Sequence, residues 1–251
     1  RKVWQRNTEE ERLLGVSLTG IYDNPLLTTE GDKLNALLTR LREEARRANE
    51  EFAVLLGIPK SAAITCVKPS GTVSQLVDSA SGIHPRHSKY YIRRVRGDKK
   101  DPLTKFLIEQ GIPNEACVYK PDQTVVFSFP QKAPAGITRS DVTPIQHLEL
   151  WLTFQRHWCE HKPSVTISVE EKDWPSVGAW TWENFSEISG VSYLPYDGGT
   201  YRQAPYEECT EEEYNQLKAK VPTINWNEFK EVTDNVEGAQ QLACSAGSCE
   251  I

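Results

Sequence analysis

Apolar residues recur at three- and four-residue steps through Leu34, Leu37, Leu38, Leu41, Ala45, Ala48, Phe52, Leu55 and Leu56. That spacing predicts a long amphipathic helix, opened by Thr28/Thr29 and closed by Gly57 and Pro59. Its other face carries Arg40, Glu43, Glu44, Arg47 and Glu51, a solvated set. Before it, the run Leu13–Tyr22 reads as a buried β-type segment ending in a turn at Asn24-Pro25. After it, Ala62–Val67 reads as a strand, and a further helix is expected to start near Thr72.

The second half repeats the alternation. Tyr90–Val95 and Thr124–Phe129 read as strands, with a short helix capped by Asp101-Pro102 between them and a loop over Pro130–Gly136. Thr143-Pro144 starts a second long helix, with Ile145, Leu148, Leu152, Gln155 and Cys159 on one line and Pro163 ending it. Ser164–Val169 is a β-type run, Trp174–Phe185 is aromatic-rich and partly helical, and Val191–Leu194 is a short strand. A capping box at Thr210–Glu213 opens a helix through Lys220. From Thr233 onward nothing periodic remains. Interleaved strands and helices predict an α/β arrangement with mostly parallel strands, and the strands at 90–95 and 124–129 suggest a smaller appended module.

Composition narrows this little. With 38% hydrophobic and 25% charged residues in 251, the chain reads as a soluble globular protein of one large or two ordinary domains. No signal peptide opens it, and a reducing cytoplasm is the expected compartment. A net charge of −6 argues against a general nucleic-acid-binding surface, although Arg86–Lys100 holds four Arg and three Lys. The chain contains no Met, which reads as a piece of a longer protein missing its N-terminal part.

The chemistry concentrates in two places. In Cys66-Val-Lys-Pro-Ser-Gly-Thr-Val-Ser-Gln-Leu76 an apolar strand leads through a polar turn into a helix start. Unpartnered backbone N–H groups and the helix dipole make such a turn an anion cradle. A buried corner with ordinary capping fits the same residues. At the other end, Cys244 and Cys249 flank Ser-Ala-Gly-Ser. Two thiols on a small-residue loop can close into a disulfide or exchange with a partner's, or they are chance cysteines of a tail or half of a metal site, for which no further ligands stand nearby in the sequence. His157 and His161 stand at i, i+4 and are a weak metal candidate. His84 and His87 flank a turn as partner contacts or plain loop residues, and the Trp174, Trp180 and Trp182 cluster reads as core.

Lys68–Leu76 followed by Ser81-Gly-Ile-His-Pro-Arg-His-Ser-Lys-Tyr-Tyr-Ile-Arg-Arg-Val95 resembles the large chain of ribonucleotide reductases. The nearest branch is the adenosylcobalamin-dependent ribonucleoside-triphosphate reductases. Gly15–Gly20, Pro163–Ser168, Gly190–Pro195, Tyr201–Cys209 and the cysteine tail extend the likeness over essentially the whole sequence.

That resemblance implies the later part of a ten-stranded α/β barrel over residues 1–232, followed by a flexible redox tail over 233–251. It implies substrate-phosphate contacts at Ser70, Gly71, Thr72, Val73 and Ser74, with the hydroxyls of Thr72 and Ser74 adding hydrogen bonds. Cys244 and Cys249 match the shuttle pair that thioredoxin reduces. Regions about 80–140 and 198–237 match the adenosylcobalamin-associated parts, and the basic run Arg93, Arg94, Arg96 forms a candidate edge for cofactor or nucleotide phosphates or else a solvated strand face, with Arg93 and Arg94 the candidate cofactor contacts. Cys66, Cys117, Cys159 and Cys209 match no redox role. The Asn-x-Cys-x-Glu signature of the radical cysteine does not occur in these residues, so this piece alone is expected to be inactive. The implied parent is a monomeric reductase of ribonucleoside triphosphates. The competing readings are a non-catalytic nucleotide- or corrinoid-binding module, a thiol-exchange adaptor, and a dimeric diphosphate-reducing relative.

Overall fold

The computed structural model describes residues 1–134, 136–196 and 202–230. They form two compact units, the first from 1–86 with 136–196 and the second from 87–134 with 202–230.

In the first unit, α1 (Lys2–Glu11) leads to β1 (Val16–Ser17), the short α2 (Pro25–Thr28), the long α3 (Asp32–Leu56), β2 (Thr65–Cys66) and α4 (Thr72–Leu76). After the excursion into the second unit come α6 (Pro144–His157), β6 (Val165–Val169), α7 (Trp174–Glu183) and β7 (Val191–Pro195). The strands form two parallel pairs, β1 with β2 and β6 with β7. They close no barrel among the described residues.

The core is built around α6. Pro144 sits in its first turn, where no N–H is needed, and Thr143 and Gln146 cap each other's backbone N–H groups. Its sequence predicts one apolar line, yet His147, Leu148, Leu150, Trp151, Leu152 and Phe154 are all buried. A helix covered over most of its circumference lies inside the core, and α6 packs on α3, β6 and α7. Trp151 fills the centre and donates its indole N–H to Pro163 O at 3.1 Å.

α3 is continuous over 25 residues and ends at Gly57 in the left-handed conformation (φ 65°) that glycine adopts without strain. It starts at Asp32, because Asn24 and Pro25 open the separate α2, with Asn24 Oδ1 accepting from Leu26 N. The polar face is solvated as expected. Arg47 bridges Glu44 and Glu51 there at 2.6 and 3.1 Å, pairs worth a few tenths of a kcal/mol each by helix-surface precedent, roughly. Leu13–Tyr22 departs from expectation. Only Val16–Ser17 is strand, Leu13, Leu14 and Val16 are exposed, and Ile21 and Tyr22 are buried in a 3₁₀ turn.

The second unit carries β3 (Tyr90–Asp98), α5 (Pro102–Glu109), β4 (Asn114–Ala116), β5 (Thr124–Lys132), β8 (Tyr206–Glu208) and α8 (Glu211–Lys218). Its sheet has the order β4-β5-β3-β8, and its three adjacent pairs are all antiparallel. The expectation of mostly parallel strands therefore fails here. β5 runs through Pro130 to Lys132, where a loop is predicted, since β4 covers only Val125–Phe127 and a proline without N–H is tolerated beyond it. No helix among the described residues is long and apolar enough to cross a membrane.

Candidate phosphate turn and its support

β2 is followed by Val67, fully buried, whose carbonyl accepts from Ser164 N at 3.0 Å. The chain then leaves the core through Lys68 and Pro69 and reverses at Gly71. Gly71 has φ 52° and ψ −119°, a conformation that a side chain would strain, and no atom lies within 4 Å of where its Cβ would be. The turn is therefore open in the direction a side chain would take.

Hydrogen bonds from residues distant in sequence hold the turn. Ser70 N donates to Ser81 Oγ at 3.0 Å, and Ser70 Oγ lies 3.2 Å from Thr19 Oγ1. Thr19 Oγ1 also donates to Ala80 O and accepts from Gly82 N. Gly82, at φ +56°, passes so close beneath that a Cβ there would stand 2.7 Å from Lys68 O. Beneath this layer Arg86 is clamped. Its Nε and Nη2 meet Asp23 at 2.9 and 3.0 Å, and its Nη1 meets Asp78 at 2.9 Å. Asp23 Oδ2 accepts from Ala80 N at 2.7 Å, so the ion pair fixes the loop that fixes the turn. Burial opposes the Arg86 charge, but hydrogen bonds and attraction from Asp23 and Asp78 outweigh it and hold the guanidinium pKa above its ordinary value.

Within the turn, Ser74 is buried and its hydroxyl donates to Gly71 O at 2.8 Å. Ser70 N and Val73 N are likewise used inside the structure, by Ser81 Oγ and Ser70 O. Val73 is exposed. Lys68 Nζ is held by Lys162 O at 2.7 Å and Ser164 Oγ at 3.2 Å.

The histidines serve packing. His84 lies at Ser81 O through Nδ1 and accepts from Thr166 N at Nε2, both at 3.0 Å, which makes it a neutral Nδ1–H tautomer. His147 Nε2 lies 2.9 Å from Ile83 O. Burial lowers the His84 pKa to about 4, and burial with the neighbouring His84 lowers that of His147 to about 3. Both stay neutral in the folded state, so only the unfolded chain takes up these protons as pH falls below 6.5. Stability is accordingly complete above pH 6.5 and declines from there towards pH 4 and 3, by up to about 1.4 kcal/mol per pH unit per histidine. Chemical denaturation across that range is expected to show the decline, and His147→Gln to flatten it.

His157 and His161 are not a pair on one helix face. α6 ends at His157, whose Nδ1 lies 3.2 Å from Thr39 Oγ1, while His161 lies beyond the helix with Nε2 2.8 Å from Leu14 O. No cluster that could hold a metal occurs among the described residues. Trp180 is buried and donates to Glu149 Oε1, whereas Trp182 is exposed and not core.

In the second unit, Arg93 and Arg94 do not lie on a solvated strand face. Arg93 is buried, donates to Pro205 O at 3.2 Å and lies 4.4 Å from the Tyr206 ring centroid. Arg94 reaches Glu207 Oε2 at 2.5 Å and Ala204 O at 3.3 Å. Strand β8 beside β3 explains this, bringing segment 203–207 over the basic run. Cys66, Cys117, Cys159 and Cys209 are free thiols. Burial pushes the Cys159 thiol up to about 12. Cys117 is the opposite case, and sequence reasoning missed it. Burial raises its pKa, but hydrogen bonds from the Tyr119 and Lys120 backbone and from Arg96 outweigh that and leave it lowered. Cys244 and Cys249 lie outside the described residues.

The arrangement of these elements matches part of a ribonucleotide reductase fold. A crystal structure of a B-12-dependent (class II) ribonucleotide reductase superposes with a TM-score of 0.76 and 25% identity, covering 93% of this chain and 36% of that one. No family model matches the chain. Among curated proteins, the adenosylcobalamin-dependent ribonucleoside-triphosphate reductase of Euglena gracilis is 31% identical over 256 residues, 98% of this chain and 35% of the relative. A probable enzyme of the same name from Dictyostelium discoideum is 32% identical over 208 residues, 81% of this chain and 27% of the relative. That of Lactobacillus delbrueckii is 26% identical over 284 residues, covering 100% of this chain and 38% of the relative. The chain is a partial homologue of the class II adenosylcobalamin-dependent ribonucleoside-triphosphate reductases, and it spans little more than a third of their length.

Proposed function

We propose that the chain supplies the substrate-phosphate turn and the thiol-exchange tail of an adenosylcobalamin-dependent ribonucleoside-triphosphate reductase. The observation that carries this is the open turn at Gly71, set on a rigid hydrogen-bonded base within a chain homologous to such enzymes over nearly its whole length. The amides of Gly71 and Thr72 meet phosphate oxygens, and Ser70 and Val73 shape the approach. Ser74 acts from below by holding Gly71 O, and so orients the turn. Backbone donors fixed before binding spend no ordering entropy on the ligand. The whole enzyme reduces ribonucleotides to deoxyribonucleotides with thioredoxin as electron source. Adenosylcobalamin would supply the radical. Arg93 and Arg94, engaged by Ala204, Pro205 and Glu207, do not fit a role as its phosphate contacts. The steps taken by the described residues concern the substrate's phosphates alone.

Val73→Asp tests the turn. Val73 is exposed in the first turn of α4, where a carboxylate suits the helix dipole, so the fold should be kept. The same charge beside a triphosphate is expected to weaken ribonucleoside-triphosphate binding about tenfold or more in calorimetry, a like-charge penalty of about 1.4 kcal/mol. Unchanged affinity would sink the assignment. For the tail, Cys244→Ser in the complete reductase is expected to abolish thioredoxin-driven cycling while a small dithiol still supports turnover. Undiminished thioredoxin turnover would exclude the shuttle role.

A further inference from the structure

The Ser70 hydroxyl stands between two others, 3.2 Å from Thr19 Oγ1 and 3.3 Å from Ser81 Oγ. A hydroxyl has one proton to give and two lone pairs to receive with, whereas an ionised phosphate oxygen only accepts. Ser70 can therefore bond a phosphate only by turning its proton away from its protein neighbours. What that costs depends on what the neighbours lose. Ser81 Oγ loses little, because it keeps the Ser70 amide as a donor at 3.0 Å. Thr19 loses nothing, because either hydroxyl can be the donor in its contact with Ser70. Its proton also reaches Ala80 O at 3.1 Å, and that carbonyl accepts from Gly20 N at 2.8 Å as well. Withdrawal of the Thr19 proton thus orphans no carbonyl. Gly82 N, donating at 2.9 Å, holds the Thr19 oxygen in place in either arrangement.

We propose that Thr19 is a positioning residue for the substrate's phosphates and acts through Ser70. When a phosphate oxygen arrives, the Ser70 hydroxyl turns its proton onto it. The Thr19 hydroxyl then turns from Ala80 O and donates to Ser70 Oγ. Both moves are rotations about C–O bonds; no proton changes owner and no heavy atom has to shift. The chain from Thr19 through Ser70 to phosphate is polarised in one direction, which makes Ser70 a stronger donor than it is alone. Gly82 N, Ser70 and its own proton use up the bonding positions of the Thr19 oxygen, so Thr19 works at one remove from the ligand. This inference rests on the phosphate-turn reading and deepens it, adding a residue 51 positions upstream of Ser70.

The test is a double-mutant cycle on the full chain, read by calorimetric titration with inorganic tripolyphosphate. Thr19 is exposed, so Thr19→Val should keep the fold. Ser70→Ala is expected to weaken binding about tenfold, the loss of a hydrogen bond to a charged group. Thr19→Val is expected to weaken it about fivefold in the wild-type background but less than about twofold on top of Ser70→Ala. The cycle removes the structural part of the loss. Thr19→Val also leaves Gly82 N without its acceptor, and that defect acts equally with or without the Ser70 hydroxyl. Thr19→Ser, which keeps the hydroxyl, should restore wild-type affinity. Equal losses from Thr19→Val in both backgrounds, wild-type affinity in Ser70→Ala, or no rescue by serine would overturn the relay and leave the phosphate turn standing. Failure of the wild-type chain to bind tripolyphosphate would overturn both.

Discussion

Gly82→Ala is expected to lower the stability of the first unit by about 2–4 kcal/mol, as strain at a left-handed backbone position adds to a direct steric conflict. Two causes act together. Gly82 sits at φ +56°, and the new Cβ would meet Lys68 O at 2.7 Å, a backbone atom that cannot swing aside. Gly57→Ala is the control, since Gly57 has φ +65° and nothing within 4 Å. It should cost about 1 kcal/mol, the left-handed penalty alone. The difference between the two variants in urea unfolding isolates the close approach of the 79–85 loop to the turn. Relief of the conflict requires Lys68 to move, so Gly82→Ala should also weaken phosphate binding, whereas Gly57→Ala should not.

Arg86→Met is the second large effect, an expected loss of about 3 kcal/mol from leaving a partly buried carboxylate without its partner. Most of it comes from Asp23, whose side chain is 25% exposed, rather than from Asp78 at 68%. An exposed ion pair contributes little. Arg86→Lys should recover only part of the loss. A single ammonium cannot meet both oxygens of Asp23 and also Asp78 with the fixed fork of a guanidinium. A fully restored midpoint with lysine would show that charge alone, and not geometry, holds the loop.

The long helices were legible because their information is local. Three- and four-residue spacing, the Thr143–Gln146 box and the stop at Gly57 are each contained within a few residues. The turn was legible for the same reason. Its supports were not, since Thr19–Ser70 and Asp23–Arg86 join residues 51 and 63 positions apart. Spacing could not show that Phe52 and Leu56 lie exposed, because a stripe facing its own core and one facing outward share the same period. Arg93 and Arg94 read as charged surface until β8 was placed beside β3. The two-residue β1 read as a buried strand because apolar composition carries no sign of what lies on either side. His84 read as a partner contact or plain loop residue and His147 was not singled out, because their buried, neutral states depend on Ile83, Ser81 and Thr166.

The central claim is that backbone amides of the Gly71 turn hold the substrate's phosphates. Amide-resolved NMR of the chain during titration with inorganic tripolyphosphate tests it directly. The Gly71 and Thr72 amides should shift and saturate together, and in Val73→Asp the same shifts should need about tenfold or more ligand. Saturable shifts confined to residues outside 68–76, with Gly71 and Thr72 still, would contradict it.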